Sequence, residues 1–569
     1  MTPRLVESPR LIDTGPIDPR RFFLAAAGAI TLWLLAVVCV HFTFGHGRQI
    51  THILFLDQDF PALLLALVGL TLFAPLASAA RIDLPAPTAR LILPLILLCA
   101  LWSWAGHYLV FQDYALSRDE EVAEFGAAYL RDGLLSRPIP PEWVEYRRAI
   151  MPEFFSPFGA ASHWASAYLP VNSAIRAAFW HLGDPNLAGP VLLAVGLIAL
   201  WRVALRLFPD RPDAVWVALL LAFTSAQLSV TAMTPYAMTG HFALNMVWLA
   251  LVLRGGWLGH GGAVIVAIVA AGLHQYHFPP LFLAPFLLWM ALGRRWGVFA
   301  IHCAALIALV VIWAKLWPGF LLHELGPPAD VRASAGVGDK AASLLRRMGN
   351  KWQPLFNLSR FLGWNNILMV PLAVLAITAM KWRVALRGET LVLPLAIGCI
   401  AACAFALWQG YGWGFRYAHG FIGPFCLLAA YGWVRLGARS LWPVVFASVL
   451  ALVTGAFLTS RAHDYVAPYA ASHRLIHAAN ADVVLVDPRG GLFATDLVRS
   501  DHGDLRRPMV MNLGALTPAA LDHLCAAYTV RVFDRSAFRP LGVRPSRWQP
   551  GYMDTLRVHL EAIGCVGRP

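Results

Sequence analysis

The sequence predicts an all-α polytopic membrane bundle of about thirteen transmembrane helices, followed by a small C-terminal α/β domain. Three observations predict it. First, the 569 residues are 58% hydrophobic and 14% charged, with a mean hydropathy of +0.60, whereas soluble chains sit nearer half apolar and a quarter charged. Second, apolar stretches able to cross a hydrocarbon core of about 30 Å recur as far as residue 459. Third, the composition changes from Tyr465 onward to short β-branched runs separated by turn residues. The 39 Pro, 45 Gly and 8 Cys are ordinary for this length and exclude disorder, a collagen repeat and a disulfide scaffold.

Taken in order, the stretches are 22–44, 60–80, 91–111, 188–208, 214–232, 239–254, 261–274, 278–292, 297–317, 362–380, 391–408, 419–435 and 441–459. The pair around 261–292 is short enough to suggest broken helices. The first run has no small-residue cleavage site after it and reads as an uncleaved anchor. With the N-terminus inside, the short cytoplasmic segments carry Arg20, Arg21, Arg81, Arg90, Arg202, Arg206, Arg294, Arg295, Lys381 and Arg435, among others, while the short outer loops carry only Arg48 and Arg416. The net charge of +13 is therefore a topology signal, and no nucleic-acid partner is expected. An odd number of spans places everything after 460 outside.

Six of the eight cysteines fall within spans as small apolar packing residues. Cys525 and Cys565 lie outside and could bridge the terminal domain. All 32 acids can be placed outside the spans, which argues against an ion-coupled transporter holding a midplane carboxylate.

The acids concentrate in the outer loop 112–187, most densely at Ser117-Arg118-Asp119-Glu120-Glu121. Ser117 and Glu120 have the spacing of a capping box, so Asp119 falls in the first turn of a helix. Val122, Phe125, Tyr129 and Leu130 follow at helical spacing and would rest on the membrane or the bundle. Glu121 and Glu124 read as helix-capping charges. Asp119, at the bilayer lip, is placed to take a proton from a nucleophile attacking a lipid-borne electrophile. His274 and His277, i and i+3 at an outer junction, could share a helical face and contact a phosphate; lacking a third ligand, they predict no metal. The loop 318–361 is the candidate substrate loop, with Arg332 and Lys340 among its cations and a basic amphipathic helix at 340–352. In the terminal domain, 483–487, 508–511 and 530–533 read as buried strands and 517–528 as a helix, with Asp487 and Asp534 as strand-end caps.

Three segments resemble those of the GT-C superfamily of integral-membrane glycosyltransferases, in the style of protein O-mannosyltransferases and aminoarabinose transferases. One is Leu116-Ser117-Arg118-Asp119-Glu120-Glu121, followed by a helix ending at Asp132-Gly133. Another, Tyr168-Leu169-Pro170-Val171-Asn172-Ser173, resembles the family's Pro-Pro-Leu element without its second proline. The third, Tyr411-Gly412-Trp413-Gly414-Phe415-Arg416-Tyr417, is similar to a late Gly-x-Arg-Tyr element. The family's acidic loop usually follows the first span, so 22–90 reads as an extra N-terminal hairpin after a cytoplasmic segment 1–21; 91–460 is the GT-C-like module and 461–569 an extracytoplasmic domain.

The resemblance implies inverting transfer of a sugar from a polyprenyl-phosphate donor to a lipid, glycan or protein acceptor at the outer face of the inner membrane, with no cofactor. It gives Asp119 as general base, Glu120 as its support, and Arg416 with Tyr417 as the holders of the lipid phosphate. The rival reading is a lipid or polysaccharide transporter, flippase or assembly scaffold without transferase activity.

Overall fold

The computed structural model describes residues 17–44, 50–76, 80–150, 155–158, 162–327, 352–405, 412–438, 440–499, 508–546 and 551–565. Helix occupies the apolar stretches, but length divides them. Among the described residues six helices are long and apolar enough to cross a membrane: Pro19–Thr43, Ile50–Leu76, Ala89–Leu109, Pro185–Leu207, Trp296–Leu325 and Trp442–His477. Two bent pairs qualify only jointly: Pro212–Phe223 with Ala226–Ala232, turned by 49°, and Gln353–Trp364 with Met369–Thr378, turned by 110°. Met238–Arg254, Gly256–Ala271, Phe278–Leu292 and Val392–Ala404 are shorter apolar helices. The sharper bend falls where Asn365 and Asn366 turn their amides back into the bundle, onto Gln227, Thr224 and Ser448.

The second long helix begins ten residues before the stretch read from hydropathy, through a π-helical turn Phe55–Asp59. Asp57 and Asp59 are therefore inside a candidate span, which corrects the placement of every acid outside. Asp59 is fully buried and accepts from Arg360 Nε at 3.0 Å and from Trp364 Nε1 at 2.8 Å. Burying a carboxylate without a partner costs several kcal/mol, so the two helices that carry this pair are held to one register. Trp33 Nε1 to Ser359 Oγ at 3.0 Å ties the first helix to the same neighbour. The N-terminal hairpin is thus packed into the main core, where Phe23, Leu63 and Leu70 share one cluster with Phe361 and Leu372.

The first outer loop forms the helix Arg118–Arg131, a three-stranded antiparallel sheet of β1 (Arg137–Pro138), β2 (Phe155–Phe158) and β3 (His163–Ser166) in the order β1-β3-β2, and the helix Val171–His181. The C-terminal chain forms a parallel sheet of β4 (Val483–Val486), β5 (Met509–Asn512) and β6 (Val530–Phe533), ordered β5-β4-β6, with Pro518–Ala527 as its helix. Cys525 and Cys565 are bridged, with Cα atoms 5.5 Å apart.

These two regions meet in one core. Val122, Phe125 and Tyr129 pack in a cluster that includes Val483, Leu485 and Met511. The face that the spacing assigns to the membrane or the bundle lies instead in this core, with Phe125 beside Trp164 of β3 and the helix packed along Val171–His181.

Arg360→Met is expected to destabilise the protein by about 3–5 kcal/mol, since it leaves Asp59 charged and unpaired, while Asp59→Leu with Arg360→Met recovers most of that loss. Equilibrium unfolding of the purified protein in detergent measures both.

Candidate active site

Asp119 enters its position through local structure. Ser117 is the N-cap of helix Arg118–Arg131, and Glu120 Oε2 accepts from both the Ser117 backbone N–H at 2.8 Å and its hydroxyl at 2.7 Å. The Ser117 hydroxyl also meets Tyr236 Oη at 2.7 Å. Ser173 Oγ donates to Ala123 O, and Gly126 lets helix Val171–His181 approach closely, since a Cβ there would lie 2.4 Å from that oxygen. The Tyr168 segment is thereby set against the Asp119 turn.

Arg416 enters from the other side of the bundle. Gln227 is completely buried and brackets the residue before it, accepting from Phe415 N–H at 3.2 Å and donating to Phe415 O at 2.8 Å. Asn365 donates to the same Gln227 oxygen at 3.1 Å. Gly414 has φ +73 and lies so near Gln227 that a Cβ would sit 2.5 Å from its carboxamide. Only glycine fits both demands.

The two segments join at a charge pair. Arg416 Nη1 lies 2.5 Å from Asp119 Oδ2, with side-chain exposures of 11% and 15%. The Tyr168 hydroxyl donates to Asp119 Oδ1. The Arg416 guanidinium lies over the Tyr236 ring at 4.8 Å and near Tyr417 at 5.5 Å. Burial alone would raise the Asp119 carboxyl, but Arg416 and Tyr168 outweigh it and hold the carboxyl below its ordinary range. His274 packs on the Tyr168 ring at 4.1 Å. Burial pushes the His274 imidazole down to about 4, so it faces the carboxylate uncharged at neutral pH.

Two hollows flank the pair and share Met238. One is lined by Asp119, Ser166, Tyr168, Asn172, Tyr236 and His274. The other is lined by Arg416, Tyr417, His241, Asn245, Phe278 and Phe421.

The remaining sequence candidates sort as follows. Glu120 is turned to Ser117 and serves as helix cap, and its hydrogen bonds among the described residues do not include Asp119. Burial raises Glu120 to about 7, against the Ser117 bonds. Tyr417 stacks on Phe278 at 5.4 Å in the second hollow. His274 lies in the turn before helix Phe278–Leu292 and His277 caps that helix, so they do not share a helical face. Among the described residues no group of three or more metal-ligating side chains occurs. Arg332 and Lys340 lie outside the described residues.

Sequence reading missed the brace behind Asp119. Arg499, from the C-terminal domain, donates to the carbonyls of Ala115 and Leu116 and lies 4.6 Å from the Tyr114 ring and 3.9 Å from Glu121. Asp496 binds Arg118 at 2.7 Å. Glu121, read as a capping charge, is instead buried in this cluster, and burial raises it to about 8 against the pull of Arg499. Gln227 and Asn365 did carry a signal, being carboxamides within apolar stretches. Arg499 carried none.

No family model matches the chain, and no curated protein matches it by sequence. Its fold is similar to that of the aminoarabinose transferase ArnT from Cupriavidus metallidurans, a GT-C glycosyltransferase. Against ArnT bound to undecaprenyl phosphate the TM-score is 0.50 at 13% identity, covering 84% of this chain and 90% of that one. Against apo ArnT it is 0.46 at 14% identity, covering 71% and 83%. At such identity the likeness concerns the fold, that of a multi-pass membrane protein.

Arg499→Gln is expected to speed amide hydrogen exchange at residues 117–120 by about tenfold while leaving the helix Ala89–Leu109 unchanged, because the turn loses its charged donor. Exchange mass spectrometry of the full-length protein reads this directly.

Proposed function

We propose that this chain is an inverting, GT-C-type glycosyltransferase that moves a sugar from a polyprenyl-phosphate donor to a lipid, glycan or protein acceptor at the outer face of the inner membrane. The observation that carries the reading is the Asp119–Arg416 pair set between two hollows. The undecaprenyl phosphate in the ArnT structure of similar fold supports the donor class. In this reading the four shorter apolar helices and the helix Ile422–Leu436 also enter or cross the bilayer, giving about thirteen spans. The N-terminus is then cytoplasmic and the C-terminal domain lies outside, as the arginine distribution requires.

The chemistry follows from the two groups. Arg416 receives the lipid phosphate, whose oxygens suit a planar guanidinium and leave with the bond electrons when the anomeric C–O bond breaks. The acceptor oxygen or nitrogen attacks the opposite face of that carbon, and its proton passes to Asp119. Inversion follows from a single in-line displacement. Hexose or pentose, and the acceptor, are open within this class. The transporter reading gains nothing from Asp59, because that acid is sealed against Arg360 and Trp364 rather than set on a polar path.

Asp119→Asn keeps size and removes basicity. It is expected to lower transfer by about 10²–10⁴-fold without disturbing membrane insertion. Lipid and glycan analysis of a deletion strain carrying the variant tests this; a glycan profile restored to that of the wild type would overturn the base assignment.

A further inference from the structure

Resting on that reading, we propose that Asp119 is the counter-ion of Arg416 only until the donor arrives, and that the lipid phosphate displaces it, so that donor binding itself frees the base.

Both carboxylate oxygens of Asp119 are engaged in the resting site, one by Arg416 and one by the Tyr168 hydroxyl. A carboxylate held this way is a poor proton acceptor, because the same neighbours that bind it stabilise its charged form. Chemistry therefore needs this contact to open. The guanidinium has the means to exchange partners. Its Nε is buried without a hydrogen-bond partner among the described residues. The hollow on that side also holds His241, buried and with neither ring nitrogen partnered among the described residues. Unsatisfied donors around a hollow point to a polar occupant, and the phenyl rings of Phe278 and Phe421 beside them suit an anion attached to an apolar chain.

A phosphate entering there brings more charge than a carboxylate and two oxygens for the fork of the guanidinium. Two anions on one buried cation repel each other, so the weaker, singly bonded one yields. Asp119 then loses the neighbour that most depresses its proton affinity. It remains hydrogen-bonded to Tyr168 and borders the first hollow, where Ser166 and Asn172 offer polar groups to an acceptor. The order of events is fixed by charge: donor first, acceptor deprotonation second.

The test is titration of the full-length protein in nanodiscs with undecaprenyl phosphate as the probe. If Asp119 competes with phosphate for Arg416, Asp119→Asn binds the probe about tenfold tighter than wild type, within the range usual for coupled sites. Glu124→Gln removes the same charge from the same helix without touching Arg416, and its affinity stays within about twofold of wild type. Arg416→Gln binds at least about tenfold more weakly; Arg416→Lys, with a charge but no fork, replaces it if the first variant is not recovered folded. Unchanged or weaker binding by Asp119→Asn, or equal tightening by Glu124→Gln, overturns the displacement. Wild-type binding by the Arg416 variants instead overturns the phosphate reading on which it rests.

Discussion

One ion pair organises the outer end of this molecule. Asp119 and Arg416 are 297 residues apart in the chain, and each sits on a segment that would be ill-defined alone. A partly buried charge pair is favourable only when its geometry is fixed by other contacts, because desolvation offsets most of the attraction. The structure supplies those contacts from two directions. The capping box, Tyr236 and the C-terminal Arg499 hold the acidic turn from outside, while Gln227 and Asn365 hold the basic loop from within the bundle. The terminal domain is therefore part of the site's scaffold, although its own strands present no catalytic group.

Much of this was legible in the sequence, for reasons that can be named. Local signals read well: the apolar stretches became helices, Ser117 and Glu120 became a cap, and three β-branched runs became a parallel sheet. Asp119 and Arg416 were singled out separately, by acid density and by a rare outer arginine, with the resemblance supplying their pairing to one reaction. What could not be read was any relation between distant segments. Arg499 is one arginine among many, and only its burial against Ala115 and Leu116 gives it meaning. The apolar face of Val122, Phe125 and Tyr129 is legible as a face for the membrane or the bundle, but nothing in its spacing says that it enters a core shared with the terminal domain.

Asp59 illustrates the same limit within the membrane region. A hydropathy profile ends a span where charge begins, so Asp57 and Asp59 marked a boundary. The chain instead continues as helix through a π turn, because Arg360, 301 residues away, compensates the buried carboxylate. Long-range pairing overrides the local rule, and the same pair binds the N-terminal hairpin to the bundle.

The charge balance around Asp119 bears on how an anionic lipid could enter at all. Arg118 and Arg499 face Asp496 and Glu121, and Arg416 faces Asp119. Arg416, the cation beside the second hollow, thus already has its acid in the resting site. An anion can be accommodated in such a site only by displacing an acid or by protonating one. Glu121 faces Arg499 behind the turn, whereas Asp119 is the acid in direct contact with Arg416. The residue best placed to yield Arg416 is also the one whose lone pairs the reaction needs. A neutral resting pair therefore keeps the base masked while no leaving group is present, and the leaving group itself removes the mask.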